Sequence, residues 1–219
     1  MKHLINSWLL KILLRLHSIS YKYSGVVSAR LNHGNHPKHR IMKYKEWFLD
    51  NIGTGCVVLD IGCNSGLMAS FMAEKARYVY GIDIDCTLID KAIENNIKKN
   101  IEFFCADAAT FDYSPLEKID FITLSNVLEH VDNRVSFLKR MIKQVKWKSN
   151  KRLLIRVPMI DREWITIIKK EMQVEWRLDE THYTEYTFDA FKEELADSGI
   201  IIESHHIRWG EIYAVCKVV

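Results

Sequence analysis

Three aspartates lie at or close to the ends of short apolar runs in this chain: Asp60, Asp83 and Asp107. Because the carboxyl ends of parallel strands meet at one edge of a sheet, three such carboxylates would face a common ligand there. Carboxylates accept hydrogen bonds from hydroxyl and amino groups and attract cations. A single aspartate in such a place is usually a turn or helix-capping residue, an interpretation that we adopt for Asp85. Three aspartates at the ends of three predicted strands favour a binding site.

A tight glycine turn follows the first apolar run, in the sequence Asp-Ile-Gly-Cys-Asn-Ser-Gly of residues 60–66. Gly62 and Gly66 allow the main chain to bend sharply and a ligand to approach it closely. Asn64 stands where a further glycine is common, and asparagine tolerates a positive φ well. Cys63 fits by its small size. A glycine turn followed by an acid about twenty residues later also suits a dinucleotide, so the turn alone leaves a nicotinamide cofactor open.

Two histidines are candidates for proton transfer. His130 follows the fourth predicted strand on the ligand side of the sheet, and His182 lies in the segment 181–187 ahead of the last helix. A histidine there can act as a general base when a bound substrate must lose a proton. The alternatives are structural, since Glu129 and His130 could cap the following helix and His182 could be a loop residue bonded to the backbone.

The patterns that must position these residues alternate between strands and helices. Strands are predicted from Val57 into the glycine turn and at residues 78–83, 101–105, 119–124, 152–157, 200–207 and 212–218. Helices are predicted at residues 38–51, 65–76, 88–99, 135–147 and 188–198. The last two strands are joined by four residues, too few for a parallel crossover, so they must pair antiparallel. The sequence therefore predicts an α/β fold with a doubly wound, mostly parallel seven-stranded sheet and an antiparallel C-terminal hairpin.

We divide the chain into an N-terminal helical cap, residues 1–52, and a main domain, residues 53–219, in which residues 159–186 form an insert on the substrate side. The apolar helix of residues 1–16 is interrupted by Lys11 and Arg15, so it is too short to cross a bilayer. No small-residue cleavage site follows, which argues against a signal peptide. The helix could pack on the domain or on a second subunit, which we favour, or lie on a membrane surface.

Composition excludes several classes of protein. With 219 residues, 48% of them hydrophobic, the chain can bury a full core. Its net charge of +3 is too small to indicate a nucleic-acid surface. The five cysteines form no close pairs, so we expect neither a disulfide framework nor a zinc site, and a reducing cytoplasm is the default location. His33, His36 and His39 are close in sequence, but Pro37 lies among them and no metal site is expected.

Four segments together resemble the class I S-adenosyl-L-methionine-dependent methyltransferases. Residues 57–66 resemble the first motif of that family, Gly81–Asp85 the second, and Cys105–Ala108 the segment that contacts adenine. Residues 120–131 resemble the motif after the fourth strand, and their Leu-Glu-His-Val ending is the most distinctive part. The resemblance covers the chain from about Gly53 onward and implies a Rossmann-like methyltransferase fold.

The resemblance also implies roles for particular residues. Asp60 would hold the ammonium group of the cofactor, while the backbone of residues 62–66 passes under its methionine part. Asp83 would accept hydrogen bonds from the ribose hydroxyls, and Asp107 one from the adenine amino group. Further contacts are implied or considered for the following residues: Ile84 and Ala108 beside the adenine, Ser125 and Asn126 near the methionine end, and Arg40 at the cofactor carboxylate.

The small-RNA 3′-end methyltransferases bind a divalent ion through Glu-x-x-Glu-His and a later histidine, and here Asn126 replaces the first glutamate. We therefore expect no metal. The sequence predicts a methyltransferase that uses S-adenosyl-L-methionine and methylates an oxygen or nitrogen, or else a carbon, of a small metabolite or sugar-containing acceptor. The alternatives are a regulatory module that binds the cofactor without catalysis and an NAD-dependent dehydrogenase.

Overall fold

A computed structural model describes the chain from residue 2 to residue 219, with the side chains of all these except residues 2, 3, 149 and 150. Its strands form one seven-stranded sheet in the order β3-β2-β1-β4-β5-β7-β6. All neighbouring pairs are parallel except those of β7, which is antiparallel to both β5 and β6. The predicted sheet is confirmed. The strands are β1 (Val57–Ile61), β2 (Tyr78–Asp83), β3 (Ile101–Cys105), β4 (Ile119–Ser125), β5 (Trp147–Pro158), β6 (Ile200–Arg208) and β7 (Glu211–Val218).

Helices cover both faces of this sheet. In β1, Leu59 packs in one apolar cluster with α6 and α8, while Val58 packs in another with α3 and α4. Since alternate residues of a strand point to opposite faces, both faces of β1 are buried, which accounts for its continuous apolar run. The helices are α1 (Lys2–Leu31), α2 (Lys38–Met42), α3 (Tyr44–Asn51), α4 (Leu67–Met72), α5 (Cys86–Asn95), α6 (Arg134–Gln144), α7 (Trp164–Glu171) and α8 (Phe188–Asp197).

The predicted helix of residues 38–51 is broken in two. Lys43 adopts a left-handed conformation, with φ 51° and ψ 36°, and separates α2 from α3. The break leaves the apolar face of α3 in contact with the sheet, where Phe48 is fully buried. The sequence prediction was wrong here because no glycine or proline marks the break.

The cysteine prediction was also wrong at one pair. Cys86, the first residue of α5, and Cys105, the last residue of β3, form a disulfide. They are separated by 19 residues in sequence. They meet because β2 and β3 pair in parallel, with Asp83 opposite Cys105, and α5 starts directly after β2. The cysteine pattern therefore no longer supports a reducing compartment, and the cytoplasmic location stays a prediction.

The N-terminal apolar segment forms a single helix with the residues that follow it. Met1 lies outside the described residues, and α1 extends from Lys2 to Leu31. α1 contacts α7, where Lys169 Nζ donates to His17 Nδ1 at 3.1 Å. Among the apolar side chains described for α1, Leu14 is buried while Trp8 and most others are exposed, so packing on the domain does not account for the apolar character of this helix. None of the described helices is long and apolar enough to cross a membrane.

Candidate active site

A cleft of about 880 Å³ opens at the carboxyl ends of β1, β2 and β4. This volume lies within the range of small-molecule and cofactor sites. The chain changes direction across the sheet between β1 and β4, which is the switch point where open α/β sheets bind ligands. Of the residues singled out in the sequence, the cleft is lined by Asp60, Gly62, Cys63, Asn64, Asp83, Ile84, Asp107, Ala108, Ser125, Asn126 and His130.

Asp60 lies at the bottom of this cleft. Its side chain is buried, and its Oδ1 accepts a hydrogen bond of 2.6 Å from the Thr123 hydroxyl. Its Oδ2 is buried without a partner among the described residues. Burial raises the pKa of Asp60 to about 7, although the hydrogen bond from Thr123 opposes this shift. A buried carboxylate oxygen without a partner is costly, so this atom is well suited to receive a cation or a donor from a ligand.

The glycine turn has the conformation that its sequence predicts. Gly62 and Gly66 have φ values of 70° and 74°, and Asn64 has a φ of 51°. A Cβ atom on Gly62 would lie 2.5 Å from a methyl carbon of Val127, too close for both to keep their positions. The turn is fastened to β2, because the Asn64 amide donates to Asp83 Oδ2 at 2.8 Å. The bare backbone of the turn therefore remains open to a ligand.

The other end of the cleft lies beyond β2 and β3. Ile84 is 73% exposed, an unusual exposure for a large apolar side chain directly after a buried strand. Asp107 is exposed, and its Oδ1 accepts from the Ala109 amide at 2.8 Å. Asp83 Oδ1 likewise accepts from the Asp85 amide at 3.0 Å. These bonds fix the carboxylates, and their remaining lone pairs can accept from hydroxyl or amino groups of a ligand.

Arg156 on β5 also lines the cleft, which the sequence did not indicate. It is buried and makes a bidentate ion pair with Glu211 of β7, with distances of 2.5 and 2.9 Å. Its guanidinium lies 4.2 Å from the centre of the Tyr44 ring, and it donates to Ser125 Oγ at 3.0 Å. Arg156 thus connects β7, the start of α3 and the end of β4.

The N-terminal helices contribute residues to the cleft, but Arg40, the residue that the sequence analysis considered, is not one of them. Lys38 and His39 of α2 line it, together with Tyr44 and Lys45 of α3. Arg40 is exposed, and neither Arg40 nor Gly66, which directly precedes α4, is among the described cleft-lining residues. From these two helices, Lys38 and Lys45 bring positive charge to the cleft. The sequence analysis singled out neither of them.

A chain of hydrogen bonds fixes the orientation of His130. The Asp179 carboxylate accepts from the Thr181 hydroxyl at 2.8 Å, and hydrogen bonds from the Thr181 amide and hydroxyl lower the pKa of Asp179. The same hydroxyl lies 2.9 Å from His130 Nδ1. Because the hydroxyl has one proton and gives it to Asp179, it must accept from His130 Nδ1–H, which leaves Nε2 as the acceptor. Burial, and after it the nearby His182, lowers the pKa of His130, which favours the neutral form of its ring.

His182 is buried beside His130, with ring centres 4.6 Å apart, but it is not among the described cleft-lining residues. Its Nδ1 lies 3.0 Å from Glu185 Oε1. Burial raises the pKa of Glu185, but hydrogen bonds from His182, Leu178 and Arg162 outweigh burial and lower it. Glu185 is therefore a carboxylate that accepts from His182, and His182 is held by a side chain rather than by backbone.

Glu129 completes a group that could hold a metal ion. Ligand atoms of Glu129, His130 and His182 lie within 4.8 Å of one another, and both Glu129 oxygens are buried without partners among the described residues. Burial raises the pKa of Glu129 to about 8. One carboxylate and two imidazoles are ligands that several divalent metals accept. The sequence analysis expected no metal, and this grouping arises because the loop of residues 181–185 folds back onto the Leu-Glu-His segment.

The comparisons with known proteins agree with this architecture. A family model described as a methyltransferase domain matches residues 33–205, which is most of the chain. The chain belongs to the methyltransferase-domain family. The expectation of a class I methyltransferase, drawn from the order of its motifs, is confirmed.

Solved structures of other methyltransferases share the fold. A SAM-dependent methyltransferase from Aquifex aeolicus has a TM-score of 0.62 at 20% identity, covering 87% of this chain and 98% of that one. The magnesium protoporphyrin IX methyltransferase of Synechocystis PCC 6803, solved with bound SAH, has a TM-score of 0.62 at 17% identity, covering 83% of each chain. At these identities the likeness bears on the fold alone.

Among curated relatives, the ubiquinone biosynthesis O-methyltransferase of Rhodopseudomonas palustris is 27% identical over 157 residues, 68% of this chain and 60% of that protein. The ribosomal protein L11 methyltransferase of Dechloromonas aromatica is 37% identical over 78 residues, 35% of this chain and 26% of that protein. This methyltransferase-domain chain thus spans less than two thirds of the length of either relative.

We predict that Arg156→Leu destabilises the protein strongly, because it leaves the Glu211 carboxylate buried without its partner. The expected loss in the free energy of unfolding is about 3–5 kcal/mol, measured by urea denaturation. The matched control is the double variant Arg156→Leu/Glu211→Leu, which removes both charges and should recover most of that loss. Equal destabilisation of the single and double variants would show that the ion pair is not the source of the effect.

Proposed function

We propose that this protein transfers a methyl group from S-adenosyl-L-methionine to an oxygen or nitrogen, or else a carbon, of a small acceptor such as a metabolite or a sugar-containing compound. The observation that carries the proposal is the buried Asp60 Oδ2 without a partner, at the bottom of a cleft whose far end holds Asp83 and Asp107. A ligand with an ammonium group at one end and a nucleoside at the other matches this spacing of acceptors.

The residues of the cleft fit the cofactor. Asp60 Oδ2 would receive the ammonium group, which supplies the missing partner. The backbone of residues 62–66 would pass under the methionine part, where a side chain at Gly62 would not fit. Asp83 would accept from the ribose hydroxyls, and Asp107 from the adenine amino group. When bound, the cofactor would supply an electrophilic methyl group on its sulfonium, and the sulfur displaced by the acceptor would remain as the neutral thioether of S-adenosyl-L-homocysteine.

His130 is the side chain that we propose as proton acceptor. It lines the cleft, and the bond from its Nδ1–H to Thr181 leaves Nε2 free to take a proton from a hydroxyl or amino group of the acceptor. His182 lies behind it, where its Nδ1–H bonds to Glu185, and its role is to hold the His130 ring edge-on. The proton released from the acceptor as the new bond to the methyl carbon forms would thus end on His130 Nε2.

The acceptor would enter between the N-terminal cap of residues 1–52 and the insert of residues 159–186. Lys38, His39, Tyr44 and Lys45 reach the cleft from the cap, and Tyr183 from the insert, which supports this placement. The R. palustris relative is named for O-methylation in ubiquinone biosynthesis, so phenols and other hydroxyl compounds stand first in an acceptor panel, ahead of amines.

Transfer of labelled methyl from S-adenosyl-L-methionine to that panel tests the proposal directly. Turnover with at least one acceptor is expected. Binding of the cofactor without turnover on any acceptor would favour a regulatory module. Tighter binding of NAD than of S-adenosyl-L-homocysteine would favour a dehydrogenase and overturn the proposal.

We predict that the affinity for S-adenosyl-L-homocysteine rises with pH up to about 7 and is constant above it. In the free protein, Asp60 has a pKa of about 7 and is protonated below that pH, whereas an ammonium group requires the ionised form. Each binding event below pH 7 must release a proton, so the affinity falls by up to about tenfold per pH unit. Calorimetric titrations between pH 5.5 and 8 measure this dependence.

Asp60→Asn is the control for that experiment. It keeps the size of the side chain, and it should weaken binding at pH 8 by about 1.5–3 kcal/mol while abolishing the dependence on pH. The same pH dependence in Asp60→Asn and in the unaltered protein would show that another group titrates. It would contradict the contact between Asp60 and the ammonium group.

We predict that Thr181→Val lowers kcat by about tenfold or more, since it removes the hydroxyl that accepts from His130 Nδ1 and so frees the ring to rotate or to change tautomer. Thr181→Ser keeps the hydroxyl and should retain most of the activity. Binding of S-adenosyl-L-homocysteine should be unchanged in both variants. Equal activity of Thr181→Val and Thr181→Ser would contradict a role of this hydroxyl in orienting His130.

Removal of metal ions by a chelator distinguishes His130 as proton acceptor from a metal site that includes His130. Full activity in the presence of EDTA supports His130 as proton acceptor. Loss of activity that added Mn²⁺ or Zn²⁺ restores would show instead that Glu129, His130 and His182 bind a metal ion, and the base would have to be found elsewhere.

A further inference from the structure

An apolar side of helix α1 faces solvent. Eight of its exposed apolar residues recur at helical spacing along one side: Ile5, Trp8, Leu9, Leu16, Ile19, Tyr23, Val26 and Val27. We call these residues the outer face of α1. Five other exposed apolar residues lie beside or opposite the outer face: Leu4, Leu10, Leu13, Tyr21 and Leu31. Trp8 is 66% exposed and Ile5 57%. In an ordinary surface helix of a globular domain, such a stripe faces the core.

The opposite side of α1 faces the rest of the protein, although its residues are mostly small or polar. Leu14 is buried there, His17 bonds to Lys169 of α7, and Ser7 and Ser18 are half-buried. Gly25 lies on the same side, and a Cβ atom on it would come within 3.0 Å of His36 Nε2. The orientation of the helix is thus fixed by contacts that bury few of its apolar side chains, and the outer face is left for a partner outside the domain.

Charge indicates what that partner is. The sequence of α1 contains five Lys and Arg residues and no Asp or Glu. Arg15, Lys22 and Arg30 are exposed: Arg15 and Lys22 lie on the rows of the helix next to the outer face, and Arg30 lies at its C-terminal end after Val26 and Val27. Trp8 and Tyr23 belong to the outer face, and aromatic side chains of this kind favour the boundary between water and lipid. A second copy of α1 would bring five further positive charges and no acidic partner for them.

We propose that α1 lies in the surface of a membrane that contains anionic lipids, with its outer face in the boundary between headgroups and acyl chains. Helices with an apolar side and a basic margin, but without an uninterrupted apolar run that could span the bilayer, bind membranes in this way. With 30 residues, α1 would lie along about 45 Å of the surface. The domain, which contacts the opposite side of the helix, would then stand above the membrane. The proposal does not depend on which acceptor is methylated.

Vesicle co-sedimentation of the full chain tests the proposal. With vesicles of phosphatidylcholine containing phosphatidylglycerol, the protein should sediment, and with phosphatidylcholine alone binding should be several-fold weaker. The variant Trp8→Ser/Leu16→Ser/Ile19→Ser should lose binding by about tenfold or more. Arg15→Gln/Lys22→Gln should reduce the difference between the two kinds of vesicle.

The matched control removes exposed apolar side chains from another surface. Ile93→Ser/Ile97→Ser alters two exposed isoleucines in and after α5 and should bind vesicles as the unaltered protein does. Circular dichroism and binding of S-adenosyl-L-homocysteine show that each variant is folded. Three results would overturn the proposal: no binding of the unaltered protein to anionic vesicles, equal loss in the control, or a dimer in light scattering that the triple variant converts to a monomer. The last would identify a second copy as the partner.

Discussion

The carboxylate of Asp60 is the constraint on which the arrangement of the cleft depends. It lies on β1 next to β4, buried at the bottom of the cleft, and Thr123 satisfies one of its two oxygens. The other oxygen has no partner among the described residues, and burial holds the pKa near 7. A group of this kind lowers the stability of the free protein, and a cationic ligand offsets that cost. The positive-φ turn at Gly62 and the fixed Asp83 carboxylate extend the same site toward a nucleoside.

The two halves of the cleft are built differently. The half that we propose for the cofactor is formed by strand ends and a backbone turn, so its geometry follows from the pairing of β1, β2 and β3. The half that we propose for the acceptor is formed by side chains from distant segments, held by Arg156 against Glu211 and Tyr44 and by the chain from Asp179 through Thr181 to His130. Chains that share the sheet can therefore differ in what they methylate, because these contacts lie outside it.

The sequence predicts the strands that end at the cleft well and the side-chain contacts between distant segments poorly, for physical reasons. The bounds of β2 and β3 were predicted correctly. For β2 the reason is that a parallel strand buried on both faces gives a largely apolar run, whereas β3 is an edge strand that is only partly buried. Arg156 was missed because a basic residue within a strand gives no local sign of its partner 55 residues later. The break at Lys43 and the bond between Cys86 and Cys105 were missed because tertiary packing decides them. The apolar pattern of α1 was visible, but which side of the helix faces the domain was not.

A crystal structure with S-adenosyl-L-homocysteine tests the central claim most directly. The account predicts that the ammonium nitrogen lies about 3 Å from Asp60 Oδ2, with the ribose hydroxyls on Asp83 and the sulfur pointing toward His130. Asp60 Oδ2 left without a partner in that complex, or an adenosine moiety bound away from Asp83 and Asp107, would contradict it.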